Sequence, residues 1–197
     1  MIRYEVTSAP GTDAVTLVEA KAHLKVDATD DDTLITSLIT AAQKWVEGYC
    51  NVKLITQTIK EYWDGFPTGA ICPVPFTVAP VQSISSITYT DTNGVTQTWS
   101  SALYQSDLKS KPARFMPVDG GNWPEVKDYT LNAIAATYVV GFGAAAAVPE
   151  NYKIAIKLAL TDMYEGRDGG ADKMSVRTLE RVRQYLMASD GRIMQFV

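Results

Sequence analysis

The chain has 197 residues, 46% of them hydrophobic, which is typical of one domain or of one domain with a sizeable insertion. Its formal net charge of −4 argues against a dedicated nucleic-acid binder, because such proteins carry a basic patch or stripe. It begins without a secretory signal and has no apolar run near the ~20 residues that a membrane span needs, so we expect a soluble protein.

Helical signals dominate residues 16–51, after a short strand-like run at residues 2–6. Thr16 and Glu19 form a capping-box pattern, in which the hydroxyl and the carboxylate each bind an open backbone N–H. A second helix follows, because apolar residues recur at intervals of three and four over about four turns. These residues are Leu34, Ile35, Leu38, Ile39, Ala42, Trp45, Val46 and Tyr49. The pattern predicts a core-facing helix that ends near Asn51.

The acidic turn between these helices, residues 27–32, has two interpretations. Asp30, Asp31 and Asp32 stand immediately before a helix, where carboxylates complement its positive end and cap open N–H groups. The alternative is a bound cation, but the turn lacks the central Gly and the late Glu of an EF-hand. Helix capping is therefore favoured, and we predict no metal site.

Strand signals replace helical ones after residue 54. Residues 55–63 have the β-branched and aromatic content of a strand. Asn93-Gly94 lies between two β runs and predicts a hairpin, because both residues tolerate positive φ. The further strand candidates are residues 84–90, 95–99, 104–108, 113–118 and 129–140, and the last is the longest. About six strands are expected.

Helices return after a Gly/Ala-rich connection. Apolar residues at helical spacing predict a third helix near residues 150–165 and a fourth at residues 175–187. We therefore predict an α+β fold with a four-helix core, made of two N-terminal and two C-terminal helices, and an inserted antiparallel β module. The expected parts are residues 1–53 for the N-terminal helices, 54–143 for the β module, and 144–197 for the C-terminal helices and tail.

No constellation of residues indicates catalysis. His23 is the only histidine, and one histidine with two separated cysteines, Cys50 and Cys72, cannot make a usual structural zinc site. No nucleophile elbow, phosphate loop or dinucleotide fingerprint occurs. We expect two free thiols in a reducing compartment and predict no catalytic residue, cofactor or metal. A hydrolase with paired carboxylates stays an alternative, which a deep pocket holding two close carboxylates would reveal.

Aromatic residues are frequent in the β region. Most often such residues form the core and cross-strand pairs of a sheet. The alternative is an exposed platform that binds carbohydrate or a receptor, as in a tail component. The residues concerned are Tyr62, Trp63, Phe66, Trp99, Tyr104, Phe115 and Trp123.

Residues 175–197 are basic, with four arginines against two carboxylates, and they end in apolar residues. One interpretation is a solvated helix face. The other is a docking arm, because arginine and large apolar residues are favoured interface anchors. The residues of this docking arm are Arg177, Arg181, Arg183, Arg192, Ile193, Met194 and Phe196.

Three stretches in order carry a resemblance to a known family. They are TLVEAKAHLKVD at Thr16–Asp27, DDTLITSLITAAQKWVEGY at Asp31–Tyr49, and LITQT at Leu54–Thr58. Together they resemble the head–tail connector (adaptor) proteins of long-tailed bacteriophages and gene transfer agents. Pro80–Trp99 and Tyr138–Pro149 are similar to the longer branch of that family.

The resemblance implies structural work. Such connectors form a ring, usually of about twelve copies, beneath the capsid portal, where they extend the DNA channel and provide a platform for the tail. The implied partners are further copies of the chain, the portal protein, the next connector, stopper or tail-terminator protein, and double-stranded DNA that passes without specific binding. No membrane is involved, and the implied location is the head–tail interface of the virion, with assembly in the host cytoplasm.

The resemblance also suggests roles for two segments. The C-terminal segment of related proteins reaches into the portal, so the docking arm is expected to bind the portal here. Asp30, Asp31 and Asp32 are expected to face the channel, where carboxylates repel phosphate and let DNA slide.

Overall fold

The computed structural model describes residues 4–67, 72–166 and 176–190. The chain separates into two compact units, and each is built from two stretches of sequence. One unit comprises residues 1–10 and 56–141 and holds strands. The other comprises residues 11–55 and 142–197 and holds helices. Together they confirm the predicted α+β class with antiparallel sheets.

The helical unit contains four α-helices among its described residues. They are α1 (Leu17–Leu24), α2 (Asp32–Cys50), α3 (Glu150–Glu165) and α4 (Val176–Asp190), and a 3-10 turn at Ala145–Ala147 precedes α3. Helix α3 contacts α1, α2 and α4, so it is the central helix of the unit. Its buried face carries Tyr152, Ile156 and Leu160, at helical spacing.

Helix α1 begins at the predicted capping box. The Thr16 hydroxyl accepts a hydrogen bond from the Glu19 N–H at 3.2 Å, and the Glu19 carboxylate accepts one from the Thr16 N–H at 2.8 Å. Lys25 and Asn51, which end α1 and α2, both have left-handed backbone. Asparagine tolerates this conformation well and lysine does not, so local sequence explains the end of α2 but not that of α1.

A buried polar network connects α2 to the segment that precedes α1 and to the segment that follows α2. The Gln43 side chain accepts from the Ala14 N–H at 2.7 Å and donates to Glu47 at 3.2 Å. Glu47 also accepts from the Leu54 N–H and from the Lys53 ammonium, each at 3.1 Å. Gln43 and Glu47 are each only 5% exposed. The network fixes both the entry to α1 and the exit from α2.

The strand unit contains two antiparallel sheets. Its strands are β1 (Tyr4–Ser8), β2 (Gln57–Trp63), β3 (Val74–Pro75), β4 (Val81–Thr90), β5 (Thr96–Trp99), β6 (Tyr104–Asp107), β7 (Arg114–Pro117) and β8 (Ile134–Val140). The order is β1-β2-β8-β4-β5 in the larger sheet and β3-β7-β6 in the smaller. Strand β1 pairs with β2, so it belongs to the strand unit. The predicted division of the chain placed it in residues 1–53, with the N-terminal helices.

Two strand predictions have opposite outcomes. The hairpin is confirmed, because Gly94 has φ 83° and Asp91 accepts from the N–H groups of Asn93 and Val95. The prediction that residues 129–140 form the longest strand is wrong. Tyr129 and Asn132 have φ 55°, which no strand accommodates, so β8 begins only at Ile134 and the ten-residue β4 is longer.

The core of the strand unit is aromatic, as the favoured interpretation predicted. Phe76 lies 4.5 Å from Tyr138 and 5.2 Å from Phe115, measured between ring centroids. Trp99 and Phe115 are buried, and four more of the aromatic residues considered in the sequence analysis pack against the same cluster. These are Trp63, Phe66, Tyr104 and Trp123. Tyr62 differs, because it lies outside the cluster and donates a hydrogen bond to Glu5 of β1.

Candidate assembly surfaces

The described residues offer little for catalysis or metal binding. No group of three or more His, Cys, Asp or Glu side chains among them is placed to hold a metal ion. Within that same part of the chain, no helix combines the length and the apolar character needed to cross a bilayer. Cys50 and Cys72 are both free. His23 is exposed on α1, where partial burial and the nearby Lys157 lower its pKa.

Glu61 is the buried carboxyl with the strongest resemblance to a catalytic group. Burial raises its pKa. However, it accepts hydrogen bonds from the Thr77 hydroxyl at 2.6 Å and the Tyr138 hydroxyl at 2.5 Å, inside the aromatic core. It is 2% exposed, so a substrate does not reach it. Its environment therefore indicates a structural role.

The acidic turn is used differently from the prediction. Asp31 is the N-cap residue of α2, but its side chain makes no capping hydrogen bond and instead accepts one from the Tyr164 hydroxyl of α3. Asp32 lies in the first turn of α2 and pairs with Lys21 of α1 at 2.6 Å. The capping interpretation is thus wrong for the Asp31 side chain, and the two carboxylates connect α2 to both neighbouring helices. Asp30 is exposed.

Helix α4 presents a basic outer face. Its inner face packs on α3 through the buried Val182 and Leu186. The Thr178 hydroxyl also donates to Asp162 of α3 at 3.1 Å. This packing leaves the predicted arginines Arg177, Arg181 and Arg183 exposed to solvent. The other four predicted docking residues, Arg192, Ile193, Met194 and Phe196, lie outside the described residues.

An open groove of about 470 Å³ lies beside this basic face. Its lining comes from Leu158 of α3 and from Arg181, Gln184 and Tyr185 of α4. Tyr185 is exposed, although it is large and largely apolar. A cation, an amide and an aromatic ring beside a groove suit a partner segment with acidic and apolar groups.

A second surface was missed at the sequence level. Tyr129 is fully exposed and Leu131 is 77% exposed, in the loop that precedes β8. We call these two residues the apolar tip. Their sequence reads as the start of a strand, and left-handed backbone at Tyr129 is not signalled by residue type. Only Asp128 and Asn132, which flank the tip, are residue types typical of a turn.

A third surface is a cleft of about 260 Å³ in the smaller sheet. Gln105, Ser106 and Asp107 of β6 line it, together with Arg114, Phe115 and Met116 of β7. The Arg114 guanidinium lies 3.3 Å from the Asp107 carboxylate across the two strands. The cleft therefore combines apolar lining from Pro73 and Met116 with polar and charged side chains.

Residues 14–107 match the model of a family described as phage gp6-like head-tail connector proteins. The match spans α1 and α2 and the strands from β2 to β6. Over these residues, which are just under half of the chain, it is similar to head–tail connector proteins. The stretches from Thr16–Asp27 through Pro80–Trp99 that carried the resemblance lie inside the match, which confirms the resemblance, whereas Tyr138–Pro149 lies beyond it.

The fold of the chain is similar to that of chains in solved particles. One comes from the neck of a native gene transfer agent (GTA) particle computed with C12 symmetry, with 23% identity, a TM-score of 0.72, and 94% of each chain covered. Another comes from the neck of an empty GTA particle computed with C6 symmetry, with 23% identity, a TM-score of 0.71, and 92% of this chain and 94% of that chain covered. A chain from the virion of a native GTA particle gives 20% identity, the same TM-score and the same coverage.

At these identities the likeness establishes a shared fold over nearly the whole of both chains. No curated protein gives a match. The matching family is described by a structural role, head–tail connection, which supports a virion component over an enzyme. The carbohydrate-binding alternative is not favoured, because most of the aromatic side chains on which it depended lie in the core.

Proposed function

We propose that the connector assembles into a ring of about twelve copies beneath the capsid portal. The ring extends the DNA channel and provides the platform for the tail. The observation that carries the proposal is the likeness, over 94% of both chains, to a chain from a neck computed with C12 symmetry, joined to the family match. Closed rings of this kind arise when one surface of a subunit binds a different surface of the next.

The four helices form the core of the subunit in this proposal, and the β module is inserted into it. Two contacts support an insertion. The Phe142 N–H donates to the Leu54 carbonyl at 2.9 Å, and Ile55 forms a parallel bridge with Gly143. The chain therefore leaves and re-enters the helical unit at adjacent positions.

The basic face of α4, with the segment that follows it, is the proposed portal-docking surface. Arg177, Arg181 and Arg183 are exposed there, and Tyr185 adds an aromatic anchor beside the groove. The complementary portal surface is expected to carry carboxylates around an apolar patch.

Substitution at Arg181 tests this surface. Arg181→Glu is expected to weaken binding to purified portal at least about tenfold, because it reverses a charge in the contact. Lys44→Glu is the matched control, since Lys44 is an exposed cation on α2 and the net charge changes equally. Deletion of residues 188–197 is expected to abolish portal binding while the thermal unfolding transition is retained. Portal binding by both altered chains at the wild-type level would contradict the docking proposal.

The channel-facing proposal rests on the acidic turn. Asp30 is the exposed member, whereas Asp31 and Asp32 are engaged by Tyr164 and Lys21. Asp30→Lys is therefore the informative variant, because it changes the surface and leaves those contacts in place. Slower DNA ejection from particles is expected, since a cation attracts phosphate. Unchanged ejection kinetics would contradict a channel position for Asp30.

Electron microscopy of purified particles tests the ring itself. Density for about twelve copies of the fold between portal and tail is the expected result. Particles that contain the chain elsewhere, or as isolated copies, would overturn the proposed function.

A further inference from the structure

We propose that the apolar tip of one connector subunit inserts into the cleft of the smaller sheet of the next subunit. The inference rests on the proposed ring and names the contact that closes it. It joins two surfaces of the strand unit, each unexplained by the fold: an exposed Tyr129-Leu131 pair and an open cleft lined by residues of β6 and β7.

The apolar tip is held in place from both sides. The Lys127 N–H donates to the Thr90 carbonyl at 3.0 Å before the tip, and the Thr90 N–H donates to the Ala133 carbonyl at 2.8 Å after it. The Asn132 N–H donates to the Asp64 carboxylate at 2.8 Å. Large apolar side chains on a fixed support lose little conformational freedom when they bind, which favours a binding role.

The backbone of the tip points to the same conclusion. Tyr129 has φ 55°, a conformation that a bulky residue rarely adopts. Because the Tyr129 side chain is fully exposed, packing within its own subunit does not offset the cost of this backbone conformation. Unfavourable backbone of this kind persists where the surrounding contacts impose it, and it concentrates at binding sites.

The cleft has the chemistry that a tyrosine requires. Pro73 and the half-buried Met116 provide its apolar lining, and the exposed Ser106 and Gln105 side chains can bind a phenol hydroxyl. The volume of about 260 Å³ suits one or two side chains and is too small for a helix. Tyr129 does not fill the cleft of its own subunit, because its side chain is fully exposed.

The charges around the two surfaces are complementary. Beside the tip, the exposed carboxylates of Glu125 and Asp128 outnumber the exposed Lys127. At the cleft, the exposed Lys109, Lys111 and Arg114 outnumber Asp107. Opposite charges of this kind orient one subunit against the next and disfavour tip-to-tip pairing. Since tip and cleft are different surfaces, their contact is head-to-tail and can close into a ring.

Disulfide trapping in particles tests the contact. In a Cys72→Ser background, Leu131→Cys places a thiol on the tip and leaves Tyr129 intact, and Ser106→Cys places one at the cleft. Mild oxidation of particles with this double variant is expected to give a ladder of disulfide-linked multimers on a non-reducing gel. The matched control replaces Leu131→Cys by Leu103→Cys, at a loop residue that is 54% exposed, and is expected to give monomers.

A second variant gives an independent measurement. Tyr129→Ala is expected to reduce the amount of connector in purified particles at least about tenfold, because a central aromatic anchor is lost, whereas Leu103→Ala is expected to have no effect. The inference is overturned if particles with a normal ring give no cross-link and if the Tyr129→Ala chain is incorporated at the wild-type level. The proposed ring stands in that case. Particles whose neck lacks the chain altogether overturn both.

Discussion

Glu61 is a buried acid without a cationic partner among its recorded hydrogen bonds. Its carboxylate accepts from the Thr77 hydroxyl, the Thr77 N–H and the Tyr138 hydroxyl, at 2.6, 3.3 and 2.5 Å. Burial raises the pKa of Glu61, and these hydrogen bonds oppose the rise only in part. The same burial and the neighbouring carboxyl raise the pKa of Tyr138, which keeps its hydroxyl protonated as a donor.

The raised pKa predicts a pH-dependent stability. The folded chain holds the Glu61 proton at pH values where the unfolded chain, with an ordinary pKa of 4.5, has released it. The free energy of unfolding should therefore fall as pH rises from about 4.5 through the folded-state pKa, by at most about 1.4 kcal/mol per pH unit. Glu61→Gln removes this titration, so its denaturation midpoints should vary less with pH over that window. Equal slopes for the two chains would contradict the assignment.

The two cysteines should differ sharply in reactivity. Cys50 is 7% exposed, and burial raises its pKa to about 12, so little thiolate is present at pH 8. Cys72 is exposed. In the folded chain, a thiol reagent should label Cys72 first, and Cys50 at least about a hundredfold more slowly. Mass spectrometry of the labelled peptides measures this, and Cys72→Ser should leave no fast-reacting thiol.

At the scale of elements, sequence patterns correctly predicted the features that depend on residues close together in the chain. The capping box at Thr16 and Glu19 depends on residues three apart, and the Asn93-Gly94 hairpin on residues next to each other. The contact between Asp31 and Tyr164 joins residues 133 positions apart, and no local pattern contains it. The exposed face of α4 was predictable, because Arg177 and Arg181 are one turn apart.

The apolar tip shows where such rules fail. Residues before β8 have strand-like composition, so periodicity extended the strand back to Tyr129. The residues on both sides of Tyr129 are held by hydrogen bonds to Asp64 and Thr90, which come from distant parts of the sequence. Tertiary contacts override local propensity at this position. Because the predicted strand included Tyr129, the sequence did not indicate an exposed surface there.

The buried network of α2 predicts the most sensitive position in the helical unit. Glu47→Ala leaves the Leu54 N–H and the mostly buried Lys53 ammonium without their carboxylate. We expect a loss of about 3–5 kcal/mol in the free energy of unfolding. Glu47→Gln keeps an acceptor for the Leu54 N–H and should lose less. Urea denaturation measures both, and a Gln variant as unstable as the Ala variant would show that the acceptor role is minor.

At the scale of the molecule, each unit has its own buried side chains. Those of the helical unit come from all four helices and from the segments beside them, and they include Ala20, Ile35, Leu54, Ile156 and Val182. Those of the strand unit form one aromatic cluster. The sequence predicted the order of helices and strands, whereas β1 joined the sheet because it pairs with β2 across a gap of some fifty residues.

The insertion of the β module predicts that the helical unit folds without it. Leu54 and Phe142 are joined by a backbone hydrogen bond of 2.9 Å, so a linker of about six Gly/Ser residues is long enough to connect residue 55 to residue 142. A chain of residues 11–55 and 142–197 with this linker should retain the circular-dichroism signal of four helices and unfold in one cooperative transition. The matched control adds Glu47→Ala, which should lower the midpoint of that transition, because the network around Glu47 lies wholly within the helical unit. Two results would contradict the prediction: a helical signal without cooperative unfolding, or a midpoint that Glu47→Ala leaves unchanged. Either would mean that the helices depend on the β module for their packing, so that the module is not an energetically independent insertion.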